Sequence, residues 1–153
     1  MNIRLAALDD VEIISVMYQD FYAFHADLQP AYYKETEKSS NYPEYIIESA
    51  NDDILIAEID GNVVGFVHIL EDKTPPYDCI VQHKFAVCVD LFVCSSYRQK
   101  GIGAALTNAA KDWAKKRNLD YVELKVLAEN ENAARLYTQE GFQIVSHTMR
   151  CPL

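Results

Sequence analysis

Apolar residues along the chain switch between two periods, and the switches divide it into elements. Asn2 to Ala6 alternates as a short strand would. Asp9 and Asp10 then offer an N-cap and a favourable negative charge to a helix on which Val11, Ile14, Tyr18, Phe21 and His25 recur at helical spacing. A Pro-, Tyr- and charge-rich stretch from Asp27 to Asn51 follows, and Pro43 before Glu44, Tyr45, Ile46 and Ile47 predicts a short second helix. Ile54 to Ile59 and Val63 to Leu70 are β-rich runs on either side of Asp60-Gly61-Asn62, which predicts an antiparallel hairpin.

Thr74-Pro75-Pro76 breaks the chain, and Phe85 to Cys94 then reads as a buried central strand whose one carboxylate is Asp90. From Gly101 to Arg117, Ile102, Ala105, Leu106, Ala109, Ala110 and Trp113 form one apolar stripe of a helix. Tyr121 to Leu127 reads as a strand and Asn130 to Gln139 as a short helix that stops at Gly141. Phe142 to Met149 reads as a last strand. The expected order is β-α-α-β-β-β-α-β-α-β, an α/β chain of the α+β type.

The 153 residues make one domain, 1–153, with 50% apolar residues and room for a core without staples. A net charge of −9 disfavours nucleic acid and anionic lipid and favours cationic partners such as amines. Val63 to Leu70 is the longest apolar run and falls far short of the ~20 residues that span a bilayer. Acidic residues at positions 9 and 10 precede any apolar region fit for a secretory signal, so a cytoplasmic protein is expected. Cys79, Cys88, Cys94 and Cys151 have no metal-ligand spacing and read as reduced, mostly packing residues; no metal is expected.

Candidate chemistry lies between the strand ending at Val93 and the helix starting near Gly101. A loop entering a helix N-terminus presents unpaired N–H groups and the positive end of the helix dipole, and Gly101 and Gly103 remove side chains that would keep a phosphate away. Arg98 and Lys100 add charge. The same glycines equally suit a tight strand-to-helix turn. A Walker A loop is excluded because Ala104-Ala105 follows Gly103, and a dinucleotide fingerprint because its third glycine position holds Leu106.

Arg98-Gln99-Lys100-Gly101-Ile102-Gly103 resembles the Arg/Gln-x-x-Gly-x-Gly/Ala signature of the GNAT superfamily of N-acetyltransferases, placed after a strand ending Asp90-Leu91-Phe92-Val93. Asn130-x-x-Ala133-x-x-Leu136-Tyr137, with Gly141-Phe142 following, resembles the family's second motif. The resemblance covers the whole element order. It implies a GNAT fold, with a mixed sheet of about six to seven strands and about four helices. It also implies acetyl transfer from acetyl-CoA to a primary amine by direct attack, without an acyl-enzyme.

On that resemblance the backbone of Leu91, Phe92 and Val93 pairs with the pantetheine arm. Arg98, Gln99, Lys100, Gly101, Ile102, Gly103 and Ala104 surround the pyrophosphate, and Asn130 and Ala133 steady the arm. Tyr137 lies at the sulfur, where its phenol can protonate the departing thiolate. Asn130 equally suits a helix N-cap. Asp90 is the candidate base and equally a buried structural carboxylate, with Glu71, His83 and His68 in reserve.

Tyr18, Tyr22, Tyr32, Tyr33, Tyr42 and Tyr45, with Asp20, Asp27, Glu35 and Glu37 nearby, suit either core packing or a pocket for an ammonium. A small-molecule amine, cationic on the charge argument, is the expected acceptor. Protein N-terminal or lysine acetyltransferase and a non-catalytic acyl-CoA-binding module are the alternatives, and a homodimer stays open.

Overall fold

The computed structural model describes residues 1–36 and 41–153. The hairpin forms about Asp60 and Gly61, whose φ angles of 51° and 78° are the left-handed pair that matches strand twist in a two-residue turn. It joins β2 (Asp52–Ile59) to β3 (Asn62–Lys73). With β1 (Asn2–Leu5), β4 (Lys84–Val93) and β5 (Val122–Leu124) these form one sheet in the order β1-β2-β3-β4-β5. All neighbours are antiparallel except β4 and β5, which run parallel.

Both sheet faces are covered, which is why β2 and β3 read as continuous apolar runs. Ile54, Ile56, Phe66 and Phe92 pack under α1 (Val11–Leu28) and α2 (Tyr42–Ile47), against Ile14, Met17, Tyr18, Phe21 and Ile46. On the other face Leu55, Ala57, Val67, Ile69, Ala86 and Cys88 meet Ile102, Leu106, Ala110 and Trp113 of α3 (Ile102–Lys116). Trp113 Nε1 donates to Asp53 at 2.7 Å, fixing α3 to the start of β2. The last helix, α4 (Glu131–Gln139), is N-capped by Asn130, whose side chain accepts from the Ala133 amide.

Three expectations need correction. The described residues form five strands, not six or seven, although the α+β class and the order of the first nine elements agree with the sequence reading. Phe142 to Met149 forms no strand. Ile144 and Val145 are adjacent, so the segment has no single apolar face to bury, and both stay exposed at 79% and 84%. Arg150 anchors the segment instead, donating to Gln29 and lying 4.2 Å over the Tyr32 ring. β5 is also shorter than Tyr121 to Leu127, because its pairing with β4 ends at Cys88 and Leu124.

Asp10 precedes α1 without a side-chain capping bond. Its carboxylate is held by Arg4 at 2.7 and 3.0 Å and by the Ala7 amide at 2.8 Å, which keeps it below the usual carboxylate range. No helix among the described residues is long and apolar enough to cross a membrane.

Candidate active site

The site begins at an irregularity in β4. His68 pairs with Asp90 and Ile69 with Cys88, so Val89 is an extra residue with no partner on β3. Such a bulge bends and twists the strand that carries it. The consequence is visible on the opposite edge: β4 pairs with β5 only from Ala86 to Cys88 and runs on to Val93 with that edge open. Among the described residues Leu91, Phe92 and Val93 pair with no strand on that side, so their main-chain groups border an open slot beside β4, available to an extended ligand.

The slot leads into the start of α3. After Val93 the chain makes one 3₁₀ turn, Ser95–Tyr97, and reaches the helix through Gln99 at φ 61° and Gly101 at φ 79°. Gly101 is the N-cap, so no side chain caps the helix, and the first-turn N–H groups have no intrahelical acceptors. An added Cβ at Gly101 would meet nothing within 4 Å: glycine is needed there for its backbone angle, beside open space. Gly103 has a different reason, since a Cβ there would lie 3.0 Å from Leu136 of α4. The glycine that looked like a phosphate contact also brings the two motif helices together. Arg98 donates to the Val93 carbonyl and stacks over Phe24 and Phe92, while Lys100 donates to the Ser96 carbonyl. Both cations thus stay at the loop, tied to its own backbone.

Tyr137 of α4 is half-buried with its ring against Phe142. Burial, and then the neighbouring Cys88 and Asp90, push its hydroxyl above the ordinary value near 10. Burial likewise pushes the Cys88 thiol up to about 12, which keeps it a neutral packing group. Asn130 does cap α4, and Ala133 supplies the capped amide. A short chain of contacts thus connects the second motif to the first through Gly103 and Leu136.

On the α1/α2 face, Asp90 accepts from the Tyr18 hydroxyl at 3.1 Å. Its charge and burial together raise the Tyr18, Tyr22 and Tyr42 hydroxyls, burial being the larger cause in each. Tyr18 stacks on Tyr22 and meets Tyr42 edge-on. Only these three of the six singled-out tyrosines gather at Asp90. Tyr45 is 72% exposed, Tyr32 lies under Arg150, and Tyr33 packs on His25. Glu37 lies outside the described residues. His83 pairs with Asp120 at 2.9 Å and Glu71 stands opposite Ala86, so neither joins the site.

His68 does join it. It stands opposite Asp90 and is 2% exposed, yet neither ring nitrogen has a hydrogen-bond partner among the described residues. A buried polar atom left so costs about 1–3 kcal/mol. Nδ1 lies 3.9 Å from Asp90 Oδ2 and Nε2 lies 3.9 Å from Asp52 Oδ2. The sequence reading passed over Asp52. The hairpin turn alone could not have found it: an unbroken two-residue turn at Asp60-Gly61 would set Ile54 opposite Val67, and only the register shift between Ala57 and Glu58, which leaves Val64 without a partner, brings Ile54 opposite His68 and Asp52 two residues further along the same face.

Comparison with known proteins agrees with this fold. The acetyltransferase (GNAT) family profile matches residues 18–142. The uncharacterized N-acetyltransferase YhfO of Bacillus subtilis (strain 168) is 31% identical over 146 residues, covering 94% of this chain and 90% of its own. Among solved structures, a tetramutant of the BH1408 protein of Bacillus halodurans superposes with a TM-score of 0.92 at 24% identity, over 100% of both chains. The aminoglycoside N-acetyltransferase AAC(6')-Iy in complex with CoA superposes with a TM-score of 0.76 at 18% identity, over 99% of this chain and 93% of that one. By the family profile, which spans most of the sequence, and by these N-acetyltransferase relatives, the chain belongs to the acetyltransferase (GNAT) family and is an N-acetyltransferase.

Proposed function

We propose that the protein moves the acetyl group of acetyl-CoA directly onto the primary amine of a small cationic molecule. The observation that carries this reading is the unpaired edge of β4 beyond Cys88, running into the uncapped start of α3. Those features fit the thioester co-substrate: an extended arm finds strand-like partners at Leu91, Phe92 and Val93, and a diphosphate finds the donors from Gln99 to Ala104. Arg98 and Lys100 flank that turn, and Asn130 and Ala133, at the start of α4, are assigned to steady the arm. At ~8 Å Debye length the distant carboxylates of an acidic chain weaken this local attraction little.

Acetyl-CoA supplies an activated acetyl group. The chain supplies the proton handling. Asp90 takes a proton from the acceptor ammonium, since only the neutral amine has a lone pair to attack with. Tyr137, kept protonated by its burial, gives its proton to the thiolate that leaves. Main-chain N–H groups near Phe92 polarise the carbonyl under attack. Tyr18, Tyr22 and Tyr42 beside Asp90 form an aromatic and anionic wall suited to an ammonium. An aminoglycoside, the substrate class in the name of one structural relative, is a polyamine of this kind.

A thiol-release assay over amino acids, polyamines, aminoglycosides and peptides tests the proposal. Turnover of free amines above that of peptides is expected. Saturating acetyl-CoA should raise Tm, by about 2.7 kcal/mol of stability at one hundred times Kd. Cofactor binding with no thiol release from any amine would leave the non-catalytic reading instead.

A further inference from the structure

His68 is buried, titratable and unused by the steps above. A structural histidine in a core ordinarily has at least one nitrogen satisfied. Here each nitrogen faces a different carboxylate at the same 3.9 Å, one on β4 and one on β2. That gap is too long for a hydrogen bond and too short for an in-line water, whose two bonds would need about 5.5 Å. A movement of about 1 Å in ring or carboxylate closes it, and catalytic hydrogen bonds are often long before substrate binds.

The carboxylates differ in the way a relay requires. Asp90 is at the tyrosine wall, bonded to Tyr18 and 15% exposed in its side chain. Asp52 opens β2 at the sheet's end and is 20% exposed. The groups facing His68 are Asp52 from β2, Asp90 from β4 and the Tyr42 ring edge from α2, with Tyr18 of α1 reaching it through Asp90. Among the described residues, the charged groups paired with this ring are both carboxylates, which favour a passing proton.

The geometry points to a proton relay across the sheet, Asp90 to His68 to Asp52, that carries the acceptor's proton from the amine subsite to solvent. It rests on the acetyltransferase reading and makes His68 a positioning residue that acts through Asp90. The acceptor's N–H bond breaks as its proton passes to an Asp90 oxygen, leaving the amine lone pair free. Asp90 gives that proton to His68 Nδ1, and His68 gives up its Nε2 proton to Asp52, which releases it to water. The ring returns to its first tautomer after the product leaves: Asp52 takes a proton from water and passes it to Nε2, Nδ1 returns its proton to Asp90, and Asp90 releases it to water through the vacated amine subsite. After attack the new N–C bond leaves a second amine proton, which Asp90 takes and holds until the product leaves, when it passes to water through the vacated subsite. The thiolate takes one proton from Tyr137, and water restores it. One turnover converts an ammonium and a thioester into an amide, a thiol and one free proton. The relay matters for ammonium acceptors, because a neutral amine arrives with its lone pair exposed.

The test uses His68→Gln and Asp52→Asn with the alkylamine turned over fastest by the wild type. Each variant should lose tenfold or more in kcat at pH 7 while the acetyl-CoA KM stays within twofold. The deficit should shrink as pH rises from 7 to 9, because the neutral fraction of an alkylamine near pKa 10.4 grows about tenfold per unit. An amine of α-amino type, near pKa 7.7–8.0, should show a smaller deficit throughout. A deficit constant across pH, one confined to the acetyl-CoA KM, or wild-type kcat in both variants would overturn the relay and leave the acetyltransferase reading standing. If His68→Gln does not fold, Asp52→Asn at the strand's exposed end carries the same comparison. A wild-type protein that turns over no amine overturns the parent reading and the relay with it.

Discussion

Replacing Gly65 by alanine tests whether the geometry of β4 governs cofactor use. Gly65 is on β3 opposite Val93, and a Cβ built on it would lie 2.7 Å from the Phe92 carbonyl oxygen and 3.3 Å from Val93 Cα. A carbon sits comfortably against a carbonyl oxygen at about 3.3 Å or more, so β4 must retreat by roughly 0.6 Å at the residues that border the slot. The obstacle is backbone, which cannot rotate aside as a side chain can. Overpacking of this kind costs about 1–3 kcal/mol. At about 2–4 °C per kcal/mol for a chain of this size, Tm should fall by roughly 2–12 °C.

A stability loss alone would say little about function, so Gly61→Ala serves as the control. It strains a turn with φ 78° but meets nothing within 4 Å, and the turn lies beyond the residues of β3 that pair with β4. Gly61→Ala should lower Tm through an αL penalty of about 1–2 kcal/mol and leave the acetyl-CoA KM unchanged. Gly65→Ala should lower Tm and also raise that KM severalfold, because displacements of about 1 Å around reacting groups are costly. Differential scanning calorimetry and thiol-release kinetics supply both numbers. A Gly65→Ala protein with wild-type KM would refute the idea that the Leu91–Val93 backbone aligns the co-substrate.

Tyr137→Phe should lower kcat at least tenfold with little change in acetyl-CoA affinity, read by kinetics and by calorimetric titration; equal turnover would return Tyr137 to a packing role. In the wild type, the raised tyrosine value means that no loss of activity from ionisation of this phenol should appear below pH 10. Asp10→Asn removes a carboxylate whose value is depressed by Arg4. Its contribution is therefore complete above the ordinary value near 3.8 and is lost as pH falls through the lower folded value. Arg4 is 38% exposed in its side chain, which puts the loss at about 1–2 kcal/mol. The Tm difference between wild type and variant should be largest above pH 4 and narrow toward pH 2; a gap that widens in acid would contradict the assignment.

Elements with a private sequence signal were legible before the structure. The β2–β3 hairpin follows from Asp60-Gly61 between two β-rich runs, and α3 from one apolar stripe after Gly101. What escaped depends on pairings between distant residues. The Val89 bulge arises in the register of β3 against β4, two strands joined by an irregular loop that sets no register in advance. With it the sequence concealed the widening slot, the shortness of β5, and the alignment of Asp52, His68 and Asp90 on one face. Phe142 to Met149 failed for the opposite reason: its apolar residues resemble a strand, but a strand exists only where another backbone accepts its hydrogen bonds. Gly103 was legible as a motif residue, whereas its packing against Leu136 needed α4 in place.

The central claim is that the β4 edge and the start of α3 together hold the co-substrate. Amide chemical shifts of the isotope-labelled protein, followed during titration with coenzyme A, test it most directly. The account predicts that the N–H signals of Leu91 to Val93 and of Gly101 to Ala104 move together and saturate at one equivalent. Saturable binding that leaves both groups of signals in place and moves another surface would contradict it.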